Sequence, residues 1–176
     1  EAAASPLVSI GLPVYNGQHT VGEAIRSILS QSFSDFELIV SDNCSTDGTG
    51  AVCRAYAEQD SRVRYLRQEY NIGAAANYKA VLDAANGRYY MWAACDDRRS
   101  IDFLAENVAF LEGNPDYVAS TCPNCFEGQE EHPETFVHFS MSDDKASRYA
   151  QFLRYCWQSH GIFYSLMRTD VIRQCD

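Results

Sequence analysis

The sequence predicts an α/β fold: a mostly parallel sheet with helices on both faces, followed by a smaller mixed or antiparallel part. Three observations carry this. Strand-like and helix-like segments alternate four times in the first hundred residues. The strand-like runs are almost continuously apolar, the pattern of strands covered on both faces. Beyond residue 113 the alternation gives way to separate strand-like runs, one of them with only weak period-two patterning. A chain of 176 residues, 46% of them apolar, suits one domain with a full core.

The elements follow in order. "LVSIGLPVY" (7–15) is β-rich and apolar, and "NG" breaks it into a loop. Apolar residues at 21, 24, 25, 28 and 29 then give helical spacing. "FELIVSD" (36–42) reads as the second strand, and "NCSTDGT" follows as a loop with capping residues. Ala51, Val52, Ala55 and Tyr56 mark the second helix, and "RVRYLR" (62–67) the third strand. "NIGAAANYKAVLDAANG" (71–87) predicts a third helix closed by its "NG", and "RYYMWAAC" (88–95) a fourth strand.

Next, Leu104, Val108 and Leu111 predict a helix capped by Ser100, and "DYVASTC" (116–122) a strand. An acidic loop from Pro123 to Glu134 precedes a weakly alternating, edge-type strand at 135–141. Ala146, Tyr149, Ala150, Leu153, Cys156 and Trp157 form a helical stripe, with Asp143 and Asp144 in its first turn. "GIFYSLMR" (161–168) is a further strand, and a helix starts at Thr169 or Asp170.

Composition narrows the function. A formal net charge of -10 and a pI of about 4.7 argue against a nucleic-acid-binding surface, which needs clustered Lys and Arg. An acidic protein can still hold a phosphorylated small molecule through a helix N-terminus, a few basic groups or a metal. No apolar run reaches 18 residues, so no transmembrane helix is expected, and the N-terminal stretch has no signal-peptide pattern. The seven cysteines lie mostly in apolar runs and read as reduced thiols of a cytoplasmic protein. "CPNC" (122–125) has redox or half-zinc spacing but no partner motif.

Three strand ends carry polar groups: "PVYNG" (13–17), Asp42 with "CSTDGT", and the pair Asp96–Asp97. In a parallel sheet these loops converge on one mouth, where ligands bind. Successive strand side chains point to opposite faces, so Asp96 and Asp97 can face one ion only where the chain leaves the strand. Two carboxylates would repel an anionic ligand unless a divalent cation sits between, the usual Mg²⁺ arrangement with substrate phosphates. They equally suit the acidic start of a helix. Asp42 is either a turn residue or an acceptor for a heterocycle N–H. Tyr15 can stack on a flat ring or belong to the core. Gly73 permits close backbone approach, and Asn71 suits an N-cap. His19 and His160 read as structural. There is no phosphate loop, no GxGxxG and no GxSxG.

Taken together, "VSIGLPVYNGQHTVGEAIRSILSQSFSDFELIVSDNCSTDGT", "NIGAAAN" and "MWAACDD" resemble the family 2 glycosyltransferases over residues 7–112. The first strand ends in PxYN, and a D-N-x-S-x-D-x-T run follows the second. The third motif is N-x-G-x-x-x-N, and the fourth strand ends on a DxD-type acidic pair. A weaker likeness continues through "HGIFYSLMRTDVIR". The resemblance implies a GT-A, Rossmann-like fold, with 7–112 as the nucleotide-sugar-binding half and 113–176 as the start of the acceptor half.

It also implies transfer of a sugar from a nucleotide-sugar donor, commonly UDP-linked, with inversion and with Mg²⁺ or Mn²⁺. The acceptor would be a saccharide or a lipid-linked one, met in the cytoplasm or peripherally at the inner face of the membrane. Tyr15 would stack on the base, with Pro13, Val14 and Asn16 shaping its pocket. Asp42 would accept from the base N–H, while Asn71, Gly73 and Asn77 frame the nucleoside. Asp96 would be the metal-linked carboxylate, with Asp97 beside it near the sugar. Two positions depart from the family pattern: Ala94 replaces the first acid of the DxD, and Ala76 an Arg. The general base is expected in an acidic stretch beyond Asp176. The competing reading is a non-catalytic nucleotide-sugar-binding or regulatory domain. A CxxC redox protein, the remaining alternative, requires a low-pKa thiolate at Cys122 or Cys125.

Overall fold

The computed structural model describes residues 5–122, 144, 147 and 163–174. Its strands are β1 (Val8–Val14), β2 (Phe36–Asp42), β3 (Val63–Arg67), β4 (Tyr89–Trp92), β5 (Ala119–Ser120) and β6 (Leu166–Arg168). Its helices are α1 (Val21–Leu29), α2 (Thr49–Gln59), α3 (Ala74–Asp83), α4 (Phe103–Gly113) and α5 (Thr169–Ile172). The strands form one sheet in the order β3-β2-β1-β4-β6-β5. The four strands of the first half are mutually parallel, and β6 runs antiparallel to β4 and β5. The expected parallel sheet with an antiparallel addition is what forms.

Strand alternation separates two cores. Val8, Ile10, Leu12 and Val14 of β1 join Phe36, Leu38 and Val40 of β2 in one cluster with Tyr89, Met91 and residues of α1 and α4. The opposite face carries Ile39, Tyr90 and Trp92 against Val81 and Ala85. There β1 presents only Ser9, Gly11 and Pro13. Gly11 is required: a Cβ would lie 2.2 Å from the Tyr90 hydroxyl and 2.7 Å from Val81 Cγ2. Each buried Val, Leu or Ile contributes about 1.5–3 kcal/mol, so the two clusters fix the sheet between its helices.

Pro13 in a central strand has a local reason. Gly11 O accepts the Ala93 N–H at 2.8 Å, so odd-numbered β1 residues address β4. By Pro13, β4 has ended at Trp92, so the missing N–H removes no bond of the strand ladder.

Several boundaries differ from the sequence reading. β4 ends at Trp92 rather than Cys95, and a turn at 95–96 puts Asp96 and Asp97 on a loop. α3 ends at Asp83; Asn86 and Gly87 do not close it but donate their N–H groups to Ser9 Oγ. Ser100 does not cap α4. That helix begins at Phe103, and the Leu104 N–H is met by Gln31 Oε1 at 2.9 Å, from 73 residues away. Asp144 accepts the Ser147 N–H at 2.8 Å, as an acid before a helix does. The expected strand at 135–141, the body of the 146–157 helix, Asp143, Cys125, Cys156, His160 and Cys175 lie outside the described residues.

Candidate active site

Parallel pairing sets Val14 beside Asp42 and Asp42 beside Arg67. The carboxyl ends of β1, β2 and β3 therefore share one edge, and β4 leaves the sheet at the same edge. Two loops there are sewn together. The Asn16 N–H donates to Ser45 Oγ and the Gly17 N–H to Thr49 Oγ1, both at 2.9 Å. Asn16 Oδ1 accepts the Thr46 N–H at 2.9 Å, and Gln18 Oε1 accepts the Gly48 N–H at 2.7 Å. Asp47 accepts the N–H groups of Gln18 and Thr49, so it serves loop and helix start together. Asn16 adopts φ 52° to do this, a conformation that Asn tolerates better than most residues.

This stitching leaves Tyr15 at the end of β1, its side 49% exposed. Pro13 and Val14 are buried beneath it as floor. Asn71 and Gly73 are exposed at the approach to α3, Gly73 at φ 84° with open space where a Cβ would stand. Asn43, which the sequence reading passed over, is the hub here. It is buried, donates to Asn71 Oδ1 and Gly73 O, and accepts the Ile72 N–H at 2.9 Å.

Two expected ligand contacts turn inward instead. Asp42 is fully buried. Its carboxylate accepts the Ser45 N–H at 2.8 Å, the Tyr65 hydroxyl at 2.8 Å and Arg67 Nη1 at 2.6 Å. Burial pushes this carboxyl up, but the Ser45 and Tyr65 bonds and the Arg67 charge outweigh it and hold it below its ordinary value. In this arrangement those three protein donors occupy its oxygens. Asn77 is also buried, donating to Ser41 O at 3.0 Å and accepting from Ser41 Oγ at 2.6 Å. It clamps α3 to β2 rather than facing a ligand. Both residues lie where the motif put them, and both organise the mouth from beneath.

Asp96 and Asp97 are exposed on their loop. The loop lies against the first strand's exit: Cys95 Sγ is 3.4 Å from where a Gly17 Cβ would be. No cluster of three or more His, Cys, Asp or Glu suited to a metal occurs among the described residues. The donor set fits a hard cation that takes one or two carboxylate oxygens and completes its shell with phosphate and water. Arg99, also unforeseen, lies behind the pair with its side chain 13% exposed.

Burial pushes Cys53 up to about 12, and it raises Cys95 and Cys122 as well. The low-pKa thiolate that a redox role needs is absent at Cys122. His19, on the surface, contacts Gln18 at 2.9 Å.

Comparison with known proteins accords with this geometry. The sequence profile described as glycosyl transferase family 2 matches residues 9–172. The Escherichia coli protein WfgD, a UDP-Glc:alpha-D-GlcNAc-diphosphoundecaprenol beta-1,3-glucosyltransferase, is 33% identical over 120 residues, which cover 64% of this chain and 47% of WfgD. Glycosyltransferase GlyG of Streptococcus pneumoniae is 38% identical over 93 residues, 53% of this chain and 31% of its own. The chain thus spans less than half the length of these relatives.

Among solved structures, Staphylococcus aureus TarS 1-349 in complex with UDP superposes with a TM-score of 0.72 at 22% identity, covering 96% of this chain and 48% of that one. The mannosyltransferase PcManGT of Pyrobaculum calidifontis, in complex with GDP-Man and Mn²⁺, gives a TM-score of 0.61 at 26% identity over 68% of this chain and 36% of that one. The architecture is therefore the GT-A fold. With its PxYN strand end, its buried Asp42 hub and its exposed acidic pair all on one edge of that sheet, the chain belongs to glycosyl transferase family 2.

Proposed function

We propose that this chain binds a nucleotide-sugar donor, UDP-linked, at the mouth formed by the loops after β1, β2 and β4, for inverting transfer of its sugar to an acceptor hydroxyl. The observation that carries this is the separation of two surfaces on one sheet edge. A half-exposed aromatic ring, Tyr15, stands where the β1 and β2 loops are stitched, and two exposed carboxylates, Asp96 and Asp97, stand where β4 ends. The first suits a base and the second a cation-bridged diphosphate.

In this reading Tyr15 stacks on the base, and Asn16, Pro13 and Val14 hold the ring in place. Asn71 and Gly73 leave open backbone beside the nucleoside. Asn77 and Asp42 keep that frame rigid from below. Asp96 holds Mg²⁺ or Mn²⁺, and Asp97 faces the donor sugar. The cation, when bound, supplies electrostatic stabilisation of the leaving diphosphate. The fixed donors and carboxylates of the mouth need no rearrangement as charge develops, which is how such sites accelerate transfer. The name of WfgD supports a UDP-sugar donor and a lipid-linked saccharide acceptor. No helix among the described residues is long and apolar enough to cross a membrane.

The test is calorimetric titration of UDP, with and without Mn²⁺, into the full-length protein. Asp96→Ala is expected to abolish the metal-dependent part of binding while the melting temperature stays unchanged. Unaltered affinity in that variant would remove Asp96 from the site. Turnover of a UDP-sugar by the wild type separates transfer from the alternative, a binding domain without chemistry.

A further inference from the structure

Arg98 and Arg99 follow the acidic pair, and the structure treats them oppositely. The Arg98 side chain is 57% exposed and reaches Glu23 at 3.8 Å, while the Arg99 side chain is 13% exposed. The Arg99 guanidinium carbon lies 5.4 Å from the centre of the Phe103 ring and 5.6 Å from that of Tyr164, so two aromatic faces hold it. Its backbone N–H donates to Ser27 Oγ at 3.3 Å. Among the described residues, Asp97 is the acid within ion-pair range, with Oδ2 3.9 Å from Nη1, and the buried Arg99 Nε and Nη2 have no hydrogen-bond partner.

Those two unpartnered atoms form one edge of the guanidinium. Asp97 stands at the third nitrogen, Nη1, where a small approach gives one charge-assisted N–H bond. An arginine buried this far with a single long ion-pair contact is costly unless a partner closes on it. We infer that Arg99 is a positioning residue: it takes Asp97 as its partner, turns that carboxylate toward the donor sugar, and leaves Asp96 to the cation. The inference rests on the donor-site reading above.

The charge arrangement fits. Two adjacent free carboxylates would compete for one cation and repel each other. A guanidinium behind only one of them makes the pair unequal. Asp97 is 48% exposed on its other side, so it can bond Arg99 and still face the mouth. Among the described residues, the neighbouring polar groups are engaged elsewhere: Glu106 contacts Cys122 at 3.9 Å, and Tyr164 meets the Tyr78 hydroxyl at 3.5 Å.

The experiment compares Arg99→Met, Arg99→Lys, Asp97→Asn and the Arg99→Met/Asp97→Asn double variant in the full-length protein. Methionine fills similar space between the rings, and replacing a buried ion by an apolar group is often tolerated, so the fold is expected to survive. Arg99→Met should lower kcat by about 10- to 100-fold, the scale of misplacing one reacting-site group, with donor KM and Mn²⁺–UDP affinity unchanged. Lysine should restore part of the rate. The double variant should be no slower than the slower single one, because both changes break the same contact. Thermal melting of the same four proteins without donor or metal reads the pair independently of chemistry, and the shifts in Tm should not add. Additive Tm shifts, multiplying kcat losses, or a wild-type rate in Arg99→Met would each overturn the inference, as would loss of Mn²⁺–UDP affinity. A wild type that neither binds nor turns over UDP-sugar would defeat the donor-site reading instead, and the melting cycle would still decide the Arg99–Asp97 contact.

Discussion

The Tyr90 hydroxyl is buried between the sheet and α3 with no hydrogen-bond partner among the described residues. It abuts Gly11, and its ring meets Trp92 edge-on at 5.1 Å. Burial, with the nearby Tyr78 and Asp83, pushes the phenol far above its ordinary value. A buried polar atom without a partner costs roughly 1–3 kcal/mol, while the ring's packing is favourable. Tyr90→Phe keeps the ring and removes the orphan, so thermal or denaturant unfolding should show about 1 kcal/mol of added stability. A lower melting temperature would show that the hydroxyl has a partner after all. The residue scale is also where the sequence is least readable. Asp42, Asn71 and Asn77 are recognisable as polar residues in meaningful places. What each touches is not, because the partner lies far away along the chain: Arg67 is 25 residues from Asp42, and Ser41 is 36 from Asn77. Asn43 is visible only as a letter of the D-N-x-S-x-D-x-T run and Arg99 carries no local signal; only folding shows that one becomes a hub and the other is swallowed by two rings.

At the scale of elements, existence and type were legible and ends were not. Continuous apolar runs announced β1, β2 and β4, and helical spacing announced α1 and α4. Their limits depend on distant groups. Gln31 supplies the cap of α4, and Ser9 takes the N–H groups that the sequence suggested would close α3. The most exacting contact is between α3 and β1. A Cβ at position 11 would sit 2.7 Å from Val81 Cγ2 and 2.9 Å from Val81 Cβ, besides the Tyr90 hydroxyl at 2.2 Å. Gly11→Ala should destabilise by at least about 1–3 kcal/mol, the usual cost of overpacking, by forcing α3 outward. Because α3 carries Asn71 and Gly73 at its approach, UDP affinity should fall with stability. The nearest obstruction is one oxygen, so the same substitution made in Tyr90→Phe should cost less. Equal losses in both backgrounds would place the strain in the backbone of β1 rather than in this contact.

Over the whole molecule, the net charge of -10 was plain from composition, but which acids bear on stability was not. Two of them secure the strand at the middle of the parallel sheet. Near the start of β2, Glu37 accepts Ser9 Oγ at 2.7 Å, the Asn86 N–H at 2.9 Å and Arg64 Nη1 at 2.6 Å. At its end stands Asp42 with Ser45, Tyr65 and Arg67. Burial pushes both carboxyls up, and hydrogen bonds and the arginines pull them further down, so each is held below its ordinary value. A carboxyl whose folded pKa is depressed stabilises the fold fully above its unfolded value, near 4, and loses that contribution as pH falls through the folded value. From pH 7 toward about 5, shedding surface negative charge relieves self-repulsion, and both buried acids stay ionised. Stability should therefore peak near pH 5 and fall steeply below about pH 4. Glu37→Gln should be less stable than wild type at pH 7, since it gives up the Arg64 pair, yet lose less between about pH 4 and 2, having no carboxylate there to protonate. Melting temperatures across that range decide the matter: an acid limb equally steep in both proteins would mean that β2 is not held by its carboxylates and that exposed acids drive the transition.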